Sequence, residues 1–223
     1  MVGQALPMSV SVEDPESRNL ARLIALSDGI FAIAMTLLVL DIHVTSGLNP
    51  AEFRSMLHDL LPHIGAYALS FTILAAFWRD HRRMLQIARR VEGPALRLTL
   101  AGLGAIALLP FPTTLLSEYG SQPLAVALYA GTVALIDLLQ LAVIQVIRRE
   151  RRAEGAGRHE TTATSSGDLD IVTDLLVTAA VFGATVPIAF ASPKAALWTW
   201  LVLVPLKFAL GHRARAHPRG KGG

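Results

Sequence analysis

The sequence contains no cysteine and few charged residues. The lack of cysteine excludes a disulfide framework and thiolate metal sites. Charged residues make up only 17% of the 223 positions and avoid the long apolar stretches, whereas 52% of the residues are hydrophobic. A soluble domain of this length would not bury so much apolar surface. The composition therefore predicts a membrane protein.

The sequence also lacks the motifs of common enzymes. It has no His-Glu-x-x-His segment, no serine nucleophile motif and no Gly-rich phosphate loop. Two isolated acidic residues, Asp137 and Asp174, are expected to make buried hydrogen bonds or to cap helix ends. We therefore predict a protein that is not an enzyme and that holds no cofactor and no resident metal.

Six apolar segments approach the roughly 17–25 residues that a membrane-spanning helix needs. They cover approximately residues 25–44, 61–79, 96–116, 123–147, 170–191 and 195–211. The last two segments are close together, so a re-entrant hairpin is the alternative to two spans. Trp198 and Trp200 fit an interfacial aromatic belt and favour two spans. The predicted fold class is an all-α membrane protein with six transmembrane helices.

Basic residues are distributed unevenly between the two ends of these predicted helices. Eighteen of the twenty Lys and Arg residues fall at one end, which by the positive-inside rule places both termini in the cytoplasm. We interpret the basic patches as topological anchors that contact anionic lipid of the plasma membrane, not as nucleic-acid sites. The expected divisions are a cytoplasmic tail (1–19), a transmembrane domain (20–211) containing a mobile cytoplasmic linker (149–168), and a basic cytoplasmic tail (212–223).

The first predicted helix has an aspartate near each end. Only the twelve residues between Asp28 and Asp41 are free of charge, and they cover about 18 Å of a hydrocarbon core that is about 30 Å thick. One or both aspartates must therefore lie near or within the membrane. Because a charged residue is costly there, it should face protein or water and not lipid.

Two interpretations of Ser27 and Asp28 remain open at this point. They could form a helix N-cap, or they could belong to a polar network at the cytoplasmic level. The end of the second helix reaches the same level, and the network would then comprise Arg22, Ser27, Asp28, Trp78, His81 and Arg82.

An apolar stripe runs along the first helix between the two aspartates. Ile33, Leu37 and Leu40 recur at helical spacing, with Thr36 beside them. Such a stripe indicates either ordinary helix packing or the dry constriction of a pore. Further along the chain, Pro110 and Pro112 remove backbone donors and predict a kink in the third helix.

These residues resemble prokaryotic members of the transmembrane protein 175 family, the endolysosomal potassium channel family. The family motif Arg-x-x-x-Phe-Ser-Asp reads Arg22-x-x-x-Leu26-Ser27-Asp28 here, with Leu in place of Phe. Trp78, His81 and Arg82 extend the resemblance, and residues 108–119, Leu-Leu-Pro-Phe-Pro-Thr-Thr-Leu-Leu-Ser-Glu-Tyr, extend it further.

The resemblance implies a homotetrameric cation channel with a central pore lined by the first helix of each subunit. Ile33 would then form the narrowest ring, with Leu37, Leu40 and Thr36 nearby and Asp41 at the outer mouth. The resemblance also implies passive K⁺ permeation through a hydrophobic constriction, and no Thr-Val-Gly-Tyr-Gly filter occurs. Because apolar rings offer no oxygen ligands, the expected selectivity over Na⁺ is modest. The alternative is a proton-coupled membrane transporter or a proton-permeable leak pathway.

Overall fold

The computed structural model describes residues 15–88, 91–156 and 166–200, with side chains placed at 18–88, 91–153 and 171–200. Every regular element in these ranges is an α-helix. The helices are α1 (Pro15–Leu40), α2 (Pro50–Asp59), α3 (Leu61–Ile87), α4 (Gly93–Leu108), α5 (Pro110–Tyr119), α6 (Pro123–Ala156) and α7 (Ser166–Ala191). A further helix, α8, begins at residue 193 and is described as far as residue 200.

Five stretches of the described chain are long and apolar enough to cross a bilayer. They are Arg18–Leu40, Pro50–Ile87, Gly93–Tyr119, Pro123–Ala153 and Ile171–Ala191, and they correspond to the first five predicted spans. The predicted sixth span covers residues 195–211. Its first six residues belong to α8, and the part beyond Trp200 lies outside the described residues. The all-α fold class and the multi-pass architecture are therefore confirmed over the part of the chain that the structure describes.

Several boundaries differ from the prediction. The helix α1 begins at Pro15, inside the expected tail over 1–19. Much of the expected linker over 149–168 is helical, because α6 continues to Ala156 and α7 starts at Ser166. Residues 157–165 and the predicted tail over 212–223 lie outside the described residues.

The segment between the first two spans contains α2, which the sequence analysis missed. The Asn49 side chain accepts hydrogen bonds from the backbone N–H groups of Ala51 and Glu52, and the Glu52 carboxylate accepts one from the Asn49 N–H. This reciprocal arrangement is a capping box, followed by Pro50 at the first helical position. The sequence signal was present in Asn-Pro-Ala-Glu, but α2 is short and buries no residue.

The predicted third helix is divided at Leu109, beside the two prolines. Pro110 has no N–H for the Ile106 carbonyl, which instead accepts from the Leu109 N–H at 3.1 Å. The Leu109 carbonyl accepts from both the backbone N–H (3.2 Å) and the Oγ1 hydroxyl (2.9 Å) of Thr113. The expected kink is therefore a boundary between α4 and α5, where the buried Ile106 carbonyl, left without its usual donor, is bonded locally.

The helix α6 is the centre of the bundle and packs against α4, α5 and α7. Trp200 is completely buried beside it, with its ring 5.3 Å from that of Tyr129 and its Nε1 donating to Thr185 Oγ1 at 3.0 Å. The expectation that Trp200 belongs to an interfacial belt was wrong, whereas Trp198 is 66% exposed. Asp137 and Asp174 both lie inside helices, so neither caps a helix end.

Candidate functional site: the two faces of the first helix

The helix α1 has one buried face and one exposed face. The buried face packs against α3, α4 and α5 and carries Leu23, Ser27, Phe31, Ala34 and Leu38. Ile33, Leu37 and Leu40 lie outside this buried face and remain 60%, 43% and 66% exposed. The predicted stripe therefore does not pack within its own chain, and it is available to lipid, water or another subunit.

Ser27 lies inside a continuous helix and is not an N-cap. Its hydroxyl donates to the Leu23 carbonyl at 2.8 Å, one turn earlier in α1. The Ser27 oxygen lies 3.1 Å from Nε2 of His81 in α3. Because the Ser27 hydrogen is directed to Leu23, the oxygen accepts this second bond and His81 Nε2 carries the proton. Both side chains are buried, and the His81 ring also packs against Phe31 with centroids 5.7 Å apart.

Asp28, the next residue of α1, is bonded to the preceding turn of α3. Trp78 Nε1 donates to Asp28 Oδ1 at 2.7 Å, and the Arg82 guanidinium carbon lies 5.4 Å from the centre of the Trp78 ring. A short N–H bond to a carboxylate is strengthened by the charge of the acceptor. The cation above the ring adds an attraction for the indole.

The structure thus brings together five of the six residues predicted for the polar network. Arg22 is the exception: it is exposed, and among the described residues of this chain no hydrogen bond or ion pair to it is found. Arg22 and Asp28 are six residues apart, nearly opposite on α1, so a contact between them within one chain was not expected.

A second polar group at the same end of α3 was missed. Asp80 is buried, and its carboxylate lies 3.0 Å from Arg79 Nε and 3.7 Å from Arg83 Nη1. From the sequence, these arginines were interpreted only as topological charges. The three-residue spacing of Asp80 and Arg83 could have indicated their pairing.

At the opposite end of α1, Asp41 follows the last helical residue. Its Oδ2 lies 3.1 Å from Ser117 Oγ of α5, which shares its one hydrogen between Asp41 and the Thr114 carbonyl at 2.8 Å. Next to it, His63 Nε2 of α3 lies 3.1 Å from Glu118 Oε1 of α5. These contacts attach the end of α1 and the start of α3 to α5, and neither pairing was predicted.

A depression of about 480 Å³ opens beside Asp41. Acidic side chains supply much of its polar wall, namely Asp41, Glu52, Asp59 and Glu118, with His43 and His63 among the remaining polar groups. Over the residues that the structure describes, no cluster of three His, Asp or Glu side chains has the geometry of a metal site. The acidic wall can attract cations.

Thr36 is on the exposed side of α1, beside the stripe. Its hydroxyl donates to the Ile33 carbonyl at 2.8 Å. The hydroxyl hydrogen is therefore bonded to the helix backbone. The Thr36 oxygen can still accept a hydrogen bond from outside the helix.

Over the described residues, five long apolar helical stretches, connected by polar contacts between α1, α3 and α5, define a multi-pass α-helical membrane protein. A family model described as endosomal/lysosomal potassium channel TMEM175 matches residues 22–110, from α1 to the start of α5. A potassium channel of Chamaesiphon minutus is 33% identical over 159 residues, which cover 68% of this chain and 78% of that protein. The chain belongs to the TMEM175 family, which is a channel family and not an enzyme class.

Further comparisons agree with this assignment. A potassium channel of Streptomyces collinus is 32% identical over 126 residues, or 61% of its own length. The zebrafish (Danio rerio) endosomal/lysosomal proton channel TMEM175 is 25% identical over 142 residues, or 27% of its length. The chain therefore matches less than two thirds of each of these two relatives.

The fold is shared with a solved structure, the crystal structure of a lysosomal potassium-selective channel TMEM175 homolog from Chamaesiphon minutus. The TM-score is 0.70 at 24% sequence identity, and the match covers 86% of this chain and 97% of that one. At this level of identity the likeness establishes the fold.

Proposed function

We propose that the protein is a potassium-conducting channel whose pore is lined by α1 of each subunit. The observation that carries this proposal is the exposed stripe of Ile33, Leu37 and Leu40, which lies outside the buried face of α1. The relatives that are named potassium channels support the same function.

A pore of this kind requires several copies of the chain, since one helix face cannot enclose a path. Four copies around a central axis would turn four α1 stripes toward one another, as closed cyclic symmetry allows. The proposed partners are thus three further copies, the lipid bilayer and monovalent cations, with no nucleic acid and no cofactor. Light scattering from the purified protein should give the mass of four chains, and an active monomer would contradict the arrangement.

The proposed constriction consists of apolar rings, narrowest at Ile33 and continued by Leu37 and Leu40. Apolar side chains offer no oxygen ligands, so a cation must cross with part of its own hydration shell. Potassium gives up water more readily than sodium, and the expected preference for K⁺ is therefore modest. Thr36 would add an oxygen acceptor beside the rings, because its hydroxyl hydrogen is bonded to the Ile33 carbonyl.

Asp41 would lie at the outer mouth of the pore. Together with the other acidic groups of the depression beside it, Asp41 would raise the local concentration of cations. The effect should be largest at low ionic strength, because the Debye length falls from about 30 Å at 0.01 M salt to about 3 Å at 1 M.

The proposed location is the plasma membrane, with both termini in the cytoplasm. The support is the concentration of Lys and Arg at one end of the spans. In this orientation the network of Ser27, Asp28, Trp78 and His81 faces the cytoplasm and holds α1 in place.

Electrical recording from the purified protein in a planar bilayer tests the function directly. Under a K⁺ gradient we expect discrete unitary currents that reverse toward the K⁺ equilibrium potential. A saturable, electrically small flux coupled to protons would instead identify a transporter.

The constriction is tested by Ile33→Asn, with Val39→Asn as a matched control. Val39 is also exposed on α1 but lies about 120° around the helix from Ile33. We expect Ile33→Asn to change the unitary conductance or the preference for K⁺ over Na⁺, and Val39→Asn to leave both near the wild-type values. Unaltered currents from a folded Ile33→Asn tetramer would remove Ile33 from the constriction.

Proton permeation is the second candidate function. It is favoured by the names of the vertebrate relatives, which are called proton channels. Recording with symmetrical K⁺ and a pH gradient separates the two ions. A reversal potential that follows the pH gradient would establish a proton current, and one that stays at zero would exclude a substantial one.

A further inference from the structure

A second concave surface lies on the outside of the bundle, at the end that carries Asp41. This groove has a volume of about 520 Å³ and runs between the start of α3, the end of α5 and the start of α8. Its walls are mostly apolar and include Pro62, Ala66, Leu69, Leu116, Leu197 and Trp198. Its volume is within the range of about 300–1,000 Å³ that is typical of sites for small molecules.

The polar groups of the groove are Ser117, Glu118, Ser121 and Lys194. They lie where the span Gly93–Tyr119 ends and where α8 begins, so they mark the level at which the groove meets water. Trp198, on the flank of the groove, is 66% exposed, and an exposed indole is suited to the membrane–water interface.

The rim carries one acidic and one basic side chain, Glu118 and Lys194. Glu118 Oε1 lies 3.1 Å from His63 Nε2, its hydrogen-bond partner. Lys194 lies within 4.0 Å of no carboxylate among the residues that the structure describes. An ammonium group above an apolar groove fits a ligand with an anionic head and a hydrocarbon tail.

We propose that the groove binds one acyl chain of an anionic phospholipid from the leaflet at the Asp41 end, with the lipid phosphate on Lys194. A multi-pass protein is surrounded by such molecules, and an apolar groove that opens beside its spans must be covered by apolar material. The lipid phosphate pairs with the Lys194 ammonium group, and the acyl chain covers the apolar wall of the groove.

The lipid would contact the segment that holds the end of α1. Ser117 lines the groove and donates to Asp41, and Glu118 lines it and pairs with His63. Occupancy of the groove would therefore stabilise these two contacts together. If α1 lines a pore, as proposed above, the lipid would also help to fix the position of the outer end of α1. Lipid binding itself does not depend on conduction.

Two glycines provide a matched pair of variants. A Cβ added at Gly65, which lines the groove, meets no atom within 4 Å, and the same holds at Gly183 of α7, which does not line it. Gly65→Leu should fill the groove without a backbone clash, whereas Gly183→Leu adds the same side chain elsewhere. Lys194→Gln removes the charge and keeps the groove.

Native mass spectrometry of the intact assembly in mild detergent measures the bound lipid, with phosphatidylglycerol and phosphatidylcholine of equal chain length as probes. The wild type and Gly183→Leu should retain one phosphatidylglycerol per chain. Gly65→Leu should reduce retention at least about tenfold, as expected when contacts of a few CH₂ groups are lost. Lys194→Gln should bind both lipids equally. Retention by Gly65→Leu at the wild-type level, or an unchanged preference in Lys194→Gln, would overturn the proposal.

A measurement on the wild type does not depend on the folding of any variant. A phosphatidylglycerol with a photoreactive acyl chain should label residues 62–69, 116–121 or 194–198, and labelling elsewhere alone would contradict the site.

A second copy of the chain could cover the groove instead. A photoreactive amino acid placed at position 198 that cross-linked to a second chain in vesicles would reveal that copy and overturn lipid binding.

Discussion

Two consecutive residues of α1 are each bonded to α3, and this arrangement is the most specific feature at the scale of single residues. Trp78 and His81 are three positions apart and so share a face of α3, from which they contact Asp28 and Ser27. Such pairing restricts both the rotation and the depth of α1. The sequence analysis placed these residues at one level, but only the structure assigned each partner.

The Asp28–Trp78 bond should be measurable as an energetic coupling. Asp28→Ala removes the acceptor, and Trp78→Phe removes the donor. From unfolding in mild detergent we expect a double-mutant cycle to give a coupling of about 0.5–2 kcal/mol, the range found for hydrogen bonds between membrane helices. Trp198→Phe combined with Asp28→Ala serves as the control and should be additive. A coupling near zero for the first pair would mean that the bond adds no stability.

A buried hydroxyl chain makes the second prediction at this scale. Thr113 donates to the Leu109 carbonyl, so it accepts from Ser70, which in turn accepts from Tyr129. Ser70→Ala would leave the Tyr129 hydroxyl buried without a partner and should cost about 1–3 kcal/mol of unfolding free energy.

Two variants check this assignment. Adding Tyr129→Phe to Ser70→Ala should recover part of the loss, because the stranded hydroxyl is then absent. Thr72→Ala, which removes a hydroxyl bonded only to the backbone of its own helix, should be nearly neutral. Equal losses of unfolding free energy in Ser70→Ala and Thr72→Ala would argue against the hydrogen-bonded series of Tyr129, Ser70 and Thr113.

At the scale of helices, local sequence signals located the apolar spans well but their ends poorly. The division at Leu109 follows from proline chemistry and was anticipated as a kink. The continuation of α6 to Ala156 was not anticipated, because the polar composition of residues 149–156 indicated a linker. Helix ends depend on capping and tertiary contacts as well as on composition.

The helix α2 supplies a prediction at this scale, since its start depends on one side chain. Asn49→Ala removes the acceptor for two backbone N–H groups and should destabilise the first turn by about 1 kcal/mol. Amide hydrogen exchange over residues 50–59 should then be faster by about fivefold. Glu52→Gln, which can still complete a capping box, should change exchange little. Unchanged exchange in Asn49→Ala would show that packing, not the cap, fixes α2.

On the scale of the whole molecule, the antiparallel packing of α1 and α3 separates the two ends of the bundle. The contacts of Asp28 with Trp78 lie at one end, and those of Asp41 with Ser117 lie at the other. The proposed orientation puts the first end in the cytoplasm.

Sidedness can be measured with single thiols, because the natural chain has none. Thr45 and Gln86 are both exposed and lie at opposite ends of the bundle. In intact cells a membrane-impermeant maleimide should label Thr45→Cys and should reach Gln86→Cys only after permeabilisation, since basic residues stay inside. The reverse pattern would invert the topology and move Asp41 to the cytoplasmic side.

By itself the sequence determined that the chain crosses a membrane repeatedly and that α1 carries an apolar stripe between two aspartates. These are properties of length, composition and helical period, which neighbouring residues set. Only the tertiary structure decided which face of α1 is buried, that His81 pairs with Ser27, and that Trp200 is buried against Tyr129. Such contacts join positions far apart in the chain, and the packing of whole helices, not the local pattern, selects among the partners available at one depth.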